Sequence, residues 1–270
     1  MSQETTTFDP DRAQGVLVGL AAGDKNLGPI EMALIVAESL IDEQRFDLDD
    51  ITNRWLGWWQ RGAWDTGRVF DSAMQMIDQG VSPESAAKHT HQELNGMTAG
   101  CNGAHRAPVL AAFAGLLDED LDNAARELTV RTHQHVLAQD AAVAVARLCR
   151  ELINGSPFDD AMKTLDDGLD AEIQQSVSAS RQAPGGRGGY SPETLQSALY
   201  FVATRESFEA ALEDALDYAG PPNYCPVLVG AIGGARWGAA AVEERYLSHC
   251  RDKERVLSMA KKLVREEDWQ

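Results

Sequence analysis

DYAGPPNYCPVLVGAIGGARWG, residues 217–238, joins two kinds of sequence in one run. From Val227 onward small and apolar residues predominate, and Gly230, Gly234 and Gly238 recur every fourth position, which clears one face of a helix of side chains. Ahead of that face, Pro221, Pro222 and Pro226 stiffen the chain and remove backbone donors, with Asn223, Tyr224 and Cys225 between them. The same spacing stands near the other end of the chain in GVLVGLAAGD (15–24), at Gly15, Gly19 and Gly23. Two helices cleared in this way are expected to cross at close range.

Helical periodicity governs the rest. After Ser207, a good N-cap, Phe208, Ala211, Leu212, Ala215 and Leu216 fall on one face, and Val136, Leu137, Ala141, Ala144, Val145 and Leu148 do the same in HVLAQDAAVAVARLCREL. Further helices are expected over 11–22, 30–43, 49–62, 67–79, 83–94, 104–117, 121–131, 157–165, 192–204, 225–240 and 250–265. No stretch alternates apolar and polar residues long enough for a strand, so the chain reads as all-α. Its 270 residues suit a single compact multi-helix domain over 11–270 behind a flexible segment, 1–10. SRQAPGGRGGYSPET (180–194) reads as a loop inside that domain, with Ser191 as N-cap and Pro192 as first helical residue.

Composition narrows the function classes. A net charge of −18 and a pI near 4.6 disfavour nucleic acid as a partner, because binding it requires cations that displace counterions. The same acidity would suit a salt-rich cytoplasm or simply keep the surface soluble. No apolar run reaches the roughly 18 residues of a membrane span, and the opening MSQETTTFDPDR lacks the basic and apolar regions of a secretory signal. A cytoplasmic location is the expectation, with no membrane partner. Cys101, Cys149, Cys225 and Cys250 form no CxxC pair and read as reduced thiols.

Three polar clusters interrupt the helices. GAWDTGR (62–68) places Asp65 in a glycine-containing turn, and TAGCNGAHRAP (98–108) places Asn102 and Gly103 before a helix whose first amides could face an anion. VRTHQHVL (130–137) carries His133 and His135, two residues apart and so unable to form the i, i+4 pair of a helical zinc site. A nucleophile paired with a base would have to be assembled by the fold, from Cys101 or Cys225 with His133.

Taken in order, these stretches resemble the ADP-ribosylglycohydrolase family. GVLVGLAAGD looks like its opening helix and EMALIVAESL (31–40) like the helix after its first metal motif. GAWDTGR is similar to its Gly-x-x-Asp-x-Gly element, CNGAHRAPVLAAF (101–113) to its Gly-Asn-Gly-x-x-Arg-x-x-Pro segment, and RTHQHVLAQDAAVAVA (131–146) to its Thr-His helix. GGYSPETLQSALYFVATRESFEAALEDAL (188–216) looks like the segment before its last metal motif, and GAIGGARWG (230–238) like the helix after it. The resemblance implies an all-α fold with a cleft for ADP-ribose, and in active members two magnesium ions held by carboxylates from both ends of the chain.

The chain departs from that pattern where the metals belong. Leu27, Gly28, Pro29 and Ile30 stand where the family has Thr-Asp-Asp-Thr, and Ala219, Gly220, Pro221, Pro222, Asn223 and Tyr224 where it has Gly-Gly-Asp-x-Asp-Thr. No metal is therefore expected at a two-ion site, nor another cofactor, although Asp24 and Glu31 lie close enough in sequence to hold one weak ion. DLDD (47–50) and DEDLD (118–122) read as solvated surface turns.

The frame around the lost motifs remains. The resemblance makes Asn102, Gly103, Arg106, Gly188, Gly189, Tyr190, Asn223 and Tyr224 ligand-binding candidates, with Arg106 alternatively pairing a buried acid such as Asp65. The leading expectation is a pseudoenzyme that binds a nucleotide, an ADP-ribose-like small molecule or a protein. The alternatives are a repurposed, metal-independent hydrolase of glycosidic bonds using Asp65, His133 or Cys225 as catalytic groups, and an ordinary hydrolase with metal ligands elsewhere.

Overall fold

A computed structural model of the chain describes residues 7–165 and 167–264; among these no strand forms, and Gly100 and Tyr190 make one isolated antiparallel bridge. In chain order the helices are α1 (Pro10–Gly23), α2 (Gly28–Glu43), α3 (Leu48–Gln60), α4 (Arg68–Asp78), α5 (Pro83–Glu93), α6 (Asn102–Arg106), α7 (Pro108–Ala112), α8 (Asp118–Val130), α9 (Val136–Ile153), α10 (Phe158–Lys163), α11 (Ala171–Ala179), α12 (Ser191–Thr204), α13 (Phe208–Ala219), α14 (Tyr224–Trp237) and α15 (Lys253–Leu263). None of the described helices is long and apolar enough to cross a membrane. The fold is the all-α, single-domain one that the periodicity implies.

At its centre α1 and α14 run antiparallel with their glycine faces together. Gly15 meets Gly234, Gly19 meets Gly230 and Gly23 meets Pro226, each so closely that an added Cβ would overlap the facing carbonyl group. Both helices are buried along this seam, and α7, α9, α12, α13 and α15 pack around the pair. Gly238 has a different role: it closes α14 with φ of 87°, a left-handed conformation that suits glycine.

Local chemistry sets most helix starts. Asp9 caps α1 by accepting from the Asp11 and Arg12 amides, Asp47 caps α3 through the Asp50 amide, and Ser207 caps α13 through Ala210. DLDD and DEDLD, expected as surface turns, supply instead the cap and first turn of α3 and the first turn of α8, where carboxylates complement the helix dipole. The helix expected over 104–117 is broken into α6 and α7, because Pro108 has no amide to continue the ladder. Helix α11 was not expected, since its polar sequence hides the buried Ile173 and Val177.

Ser191 is not an N-cap. It is the first residue of α12, and its hydroxyl donates to the Ala99 carbonyl. Residues 1–6 of the expected N-terminal segment, and residue 265 of the last expected helix, lie outside the described residues. From Phe8 the chain is already engaged: Phe8 packs on the core beneath Arg150, and the Asp9 amide donates to the Ile153 carbonyl.

The seam makes an opposed pair of expectations for glycine. Gly19→Ala should cost at least about 3 kcal/mol, because backbone must move to admit the methyl group. Gly57→Ala, in α3 where a Cβ meets only the flexible Arg61 side chain, should gain about 0.5–1 kcal/mol. Urea denaturation of the two variants measures both.

Candidate functional site

The crossing of α1 and α14 brings the last residue of one helix beside the first of the other. Asp24, at the C-terminus of α1, is fully buried and faces Asn223, which precedes α14 and is also buried. The Asn223 side-chain amide donates to Asp24 Oδ1 at 2.9 Å, and Asn223 Oδ1 accepts from Asn26 Nδ2 at 2.9 Å. Asp24 also accepts from the amides of Asn26 at 3.2 Å, Leu27 at 2.9 Å and Ile30 at 2.7 Å, so it caps α2, whose own N-cap, Leu27, has no side-chain acceptor. Burial raises the Asp24 carboxyl above its ordinary range, and these four hydrogen bonds pull against that rise.

Glu31, a second carboxylate near this end, is paired. Arg255 in α15 donates to Glu31 at 2.7 Å and to Glu38 at 2.8 Å. The magnesium pair that the resemblance implies does not fit these residues. Magnesium requires oxygen lone pairs, whereas here N–H donors already occupy Asp24 and a guanidinium occupies Glu31. The same occupancy argues against the single weak ion for which Asp24 and Glu31 lie close enough in sequence. Leu27, Gly28, Pro29 and Ile30 form the turn into α2 and bring no carboxylate. Among the described residues no group of three or more His, Cys, Asp or Glu side chains is placed to hold a metal.

Beside this clasp lies a pocket of about 90 Å³ lined by Asn26, Pro29, Asp65, Asn102, Asn223 and Tyr224, with Gly67, His105 and Pro222 completing it. Asp65 holds a left-handed conformation, φ 51°, against Gly28, whose missing side chain makes room for it. Burial on its inner side and the Asp24 charge raise its carboxyl above the ordinary range, against a hydrogen bond from the Gly28 backbone. Asn102 fixes the Asp65 turn by donating to the Thr66 carbonyl at 2.7 Å. It is the first residue of α6, a helix of only five residues. His105, which sequence reading passed over, donates from Nε2 to the Tyr224 carbonyl at 2.9 Å, and burial lowers its pKa to about 4, keeping it neutral.

The remaining expected residues divide between a second pocket and the core. Gly189 and Tyr190 line a more apolar cavity of about 370 Å³ with Met97, Gly100 and His135, and Gly189 touches the Tyr224 ring where the two pockets approach. Gly188 lies outside both linings and receives the Thr194 hydroxyl on its carbonyl. Gly103 packs without a side chain against Thr129. Arg106 is fully buried over the Trp55 ring, 4.3 Å from its centroid, and donates to Leu128 and Thr132 rather than to Asp65.

The three catalytic candidates do not share one pocket lining. His133 sits in the loop before α9, not within the helix, with Nδ1 2.8 Å from the Thr132 hydroxyl. Burial drives its pKa down to about 3. Burial pushes the Cys225 thiol up to about 12, so no nucleophilic thiolate stands there at neutral pH. Of the three, only Asp65 lines the small pocket. Asn26, His105 and Arg255 are the residues sequence reading missed; Asn26, inside the Asp-x-Asn turn before α2, carried a signal, and the other two reach the site only through the fold.

Asn223→Asp should test the clasp. The new carboxylate would face Asp24, raising the folded-state pKa of the pair above the ordinary range near ~4. The penalty should be absent below that pH and grow as the pH rises through the raised value, reaching roughly 1–3 kcal/mol at neutrality. Urea denaturation from pH 4 to 8 measures it; equal stability of the variant and the native protein at pH 7 would contradict the geometry.

The ADP-ribosylglycohydrolase family model matches residues 29–270. Comparison with curated protein sequences gives no match. A solved structure described as an ADP-ribosylglycohydrolase-related protein complex is similar with a TM-score of 0.80, covering 97% of this chain and 99% of that one at 24% identity, which supports the fold. With the family model covering nearly the whole chain, and the opening helix, the Asp65 turn and the small-residue helix arranged around one cleft, the chain belongs to the ADP-ribosylglycohydrolase family.

Proposed function

We propose that this chain is a non-hydrolytic member of its family, a pseudoenzyme that uses the old cleft to bind a ligand or a partner. The observation that carries the reading is the Asn223 amide on Asp24: a neutral donor stands where an active member needs a carboxylate and a cation. Without the two ions, the chain lacks the means by which active members orient a ribose and activate a water beside it. The buried Cys225 and His133 argue against a rebuilt nucleophilic mechanism.

The surface supports a binding role. Tyr224 is exposed at the small pocket, and Met97 and Tyr190 at the larger one. Exposed aromatic and apolar side chains gathered at one cleft mark an interaction site. The small pocket is far below the ~300–1,000 Å³ of ordinary ligand sites, so an ADP-ribose-like molecule would have to lie mainly over the Gly189–Tyr190 cavity. A cytoplasmic setting accords with the free cysteines.

Titration calorimetry with ADP-ribose, with and without magnesium, tests the reading, together with an assay for ADP-ribose release from a modified protein. Magnesium should change neither binding nor turnover, and no release should be seen. Magnesium-dependent binding or release would overturn the proposal.

A further inference from the structure

Arg106 is a fully buried cation that meets no carboxylate. Its Nη2 donates to the Leu128 carbonyl at 3.0 Å and to the Thr132 hydroxyl at 2.6 Å, its plane lies over the Trp55 ring, and Nε and Nη1 have no partner. Burial lowers its pKa to about 9, so it stays charged at neutral pH. A buried charge without a counter-ion is costly to keep, and packing alone would be served by an apolar side chain. The end of α8 sets where this charge acts. Gly103 packs so closely on Thr129 that an added Cβ would overlap the threonine side chain, and the Thr129 carbonyl receives the amides of both Thr132 and His133. The side-chain bond from Arg106 therefore ends on the neighbour of His133.

The buried Thr132 hydroxyl stands between two partners. Its oxygen accepts from Arg106, and His133 Nδ1, at 2.8 Å, is the acceptor within reach of its hydrogen among the described residues. A buried hydroxyl hydrogen needs an acceptor, so the network is complete only when Nδ1 carries a lone pair and the imidazole proton sits on Nε2. Burial first, then the Arg106 charge and the neighbouring His105, oppose a second proton on that ring. Arg106 thus acts on His133 twice, through Thr132 and through its charge. The Nε2 edge of the ring faces Gly100, where an added Cβ would lie 3.2 Å from that nitrogen, and Gly100 lines the larger cavity with Tyr190. We propose that Arg106 and Thr132 are positioning residues for His133, holding it as the neutral Nε2–H tautomer, so that the Gly100 wall is backed by a hydrogen-bond donor and never by a cation.

The relay belongs to the protein without ligand and holds whether the cleft binds or hydrolyses, so its failure would leave the non-hydrolytic reading intact. Long-range proton–nitrogen NMR of the full chain labelled with nitrogen-15 histidine reads the protonation of each imidazole nitrogen, and His133→Asn assigns the His133 signals. The native ring should show a protonated Nε2 and a bare Nδ1, unchanged from pH 5 to 8. Thr132→Val, of similar shape but without the hydroxyl, should raise the Nδ1–H population by roughly fivefold or more, the worth of about one hydrogen bond. Thr132→Ser should restore the native pattern. Arg106→Met fills the space over Trp55 but leaves the threonine oxygen free to accept from Nδ1–H, so the same shift is expected; if this variant loses its cooperative melting transition, the two Thr132 variants decide. A charged or Nδ1–H imidazole in the native protein, a serine variant that stays shifted, or a Thr132→Val spectrum that keeps the native tautomer would overturn the inference. The last of these is what a role in packing alone predicts.

Discussion

The close antiparallel seam between α1 and α14 is the constraint on which the molecule depends. Glycines on both faces let the two backbones approach until carbonyl groups fill the space of missing side chains. Because the helices run in opposite directions, this contact also fixes the ends: Gly23 lies on Pro226, so Asp24 is delivered to Asn223. Packing and site are thus one feature. The sequence 217–238 joins a packing face to a loop because the face places the loop.

That delivery gives Asp24 a structural task that needs no metal. Asp24 accepts four hydrogen bonds, three from the backbone that starts α2 and one from Asn223. The side-chain amide ties the two ends of the chain together, as a cation between carboxylates would. Arg255 does the same for Glu31 and Glu38 from α15. Buried polar groups persist where they are hydrogen-bonded, and both Asp24 carboxylate oxygens and the Asn223 side-chain amide have such partners.

Much of this was legible in the residues. The glycine spacing announced the crossing of α1 and α14, and the periodicity announced the helical fold, because both depend on side-chain size along a single helix. The absence of carboxylates at Leu27–Ile30 was equally plain. Less visible were features made between distant segments. Arg106, a ligand-binding candidate with Asp65 as its alternative partner, lies over Trp55 and donates to Leu128 and Thr132, since helix α6 turns it inward. His133 and Cys225 have the residue types of catalytic groups, but burial lowers the His133 pKa to about 3 and pushes the Cys225 thiol up to about 12. His105 carried no spacing signal, and only its contact with the Tyr224 carbonyl places it at the pocket.

Crystals of the full chain grown or soaked in manganese chloride, with anomalous diffraction recorded, would test the clasp most directly. The Asn223 amide should remain on Asp24 near 2.9 Å, with no manganese peak bonded to that carboxylate. A manganese ion on Asp24, with Asn223 turned so that its oxygen faces the metal, would contradict it.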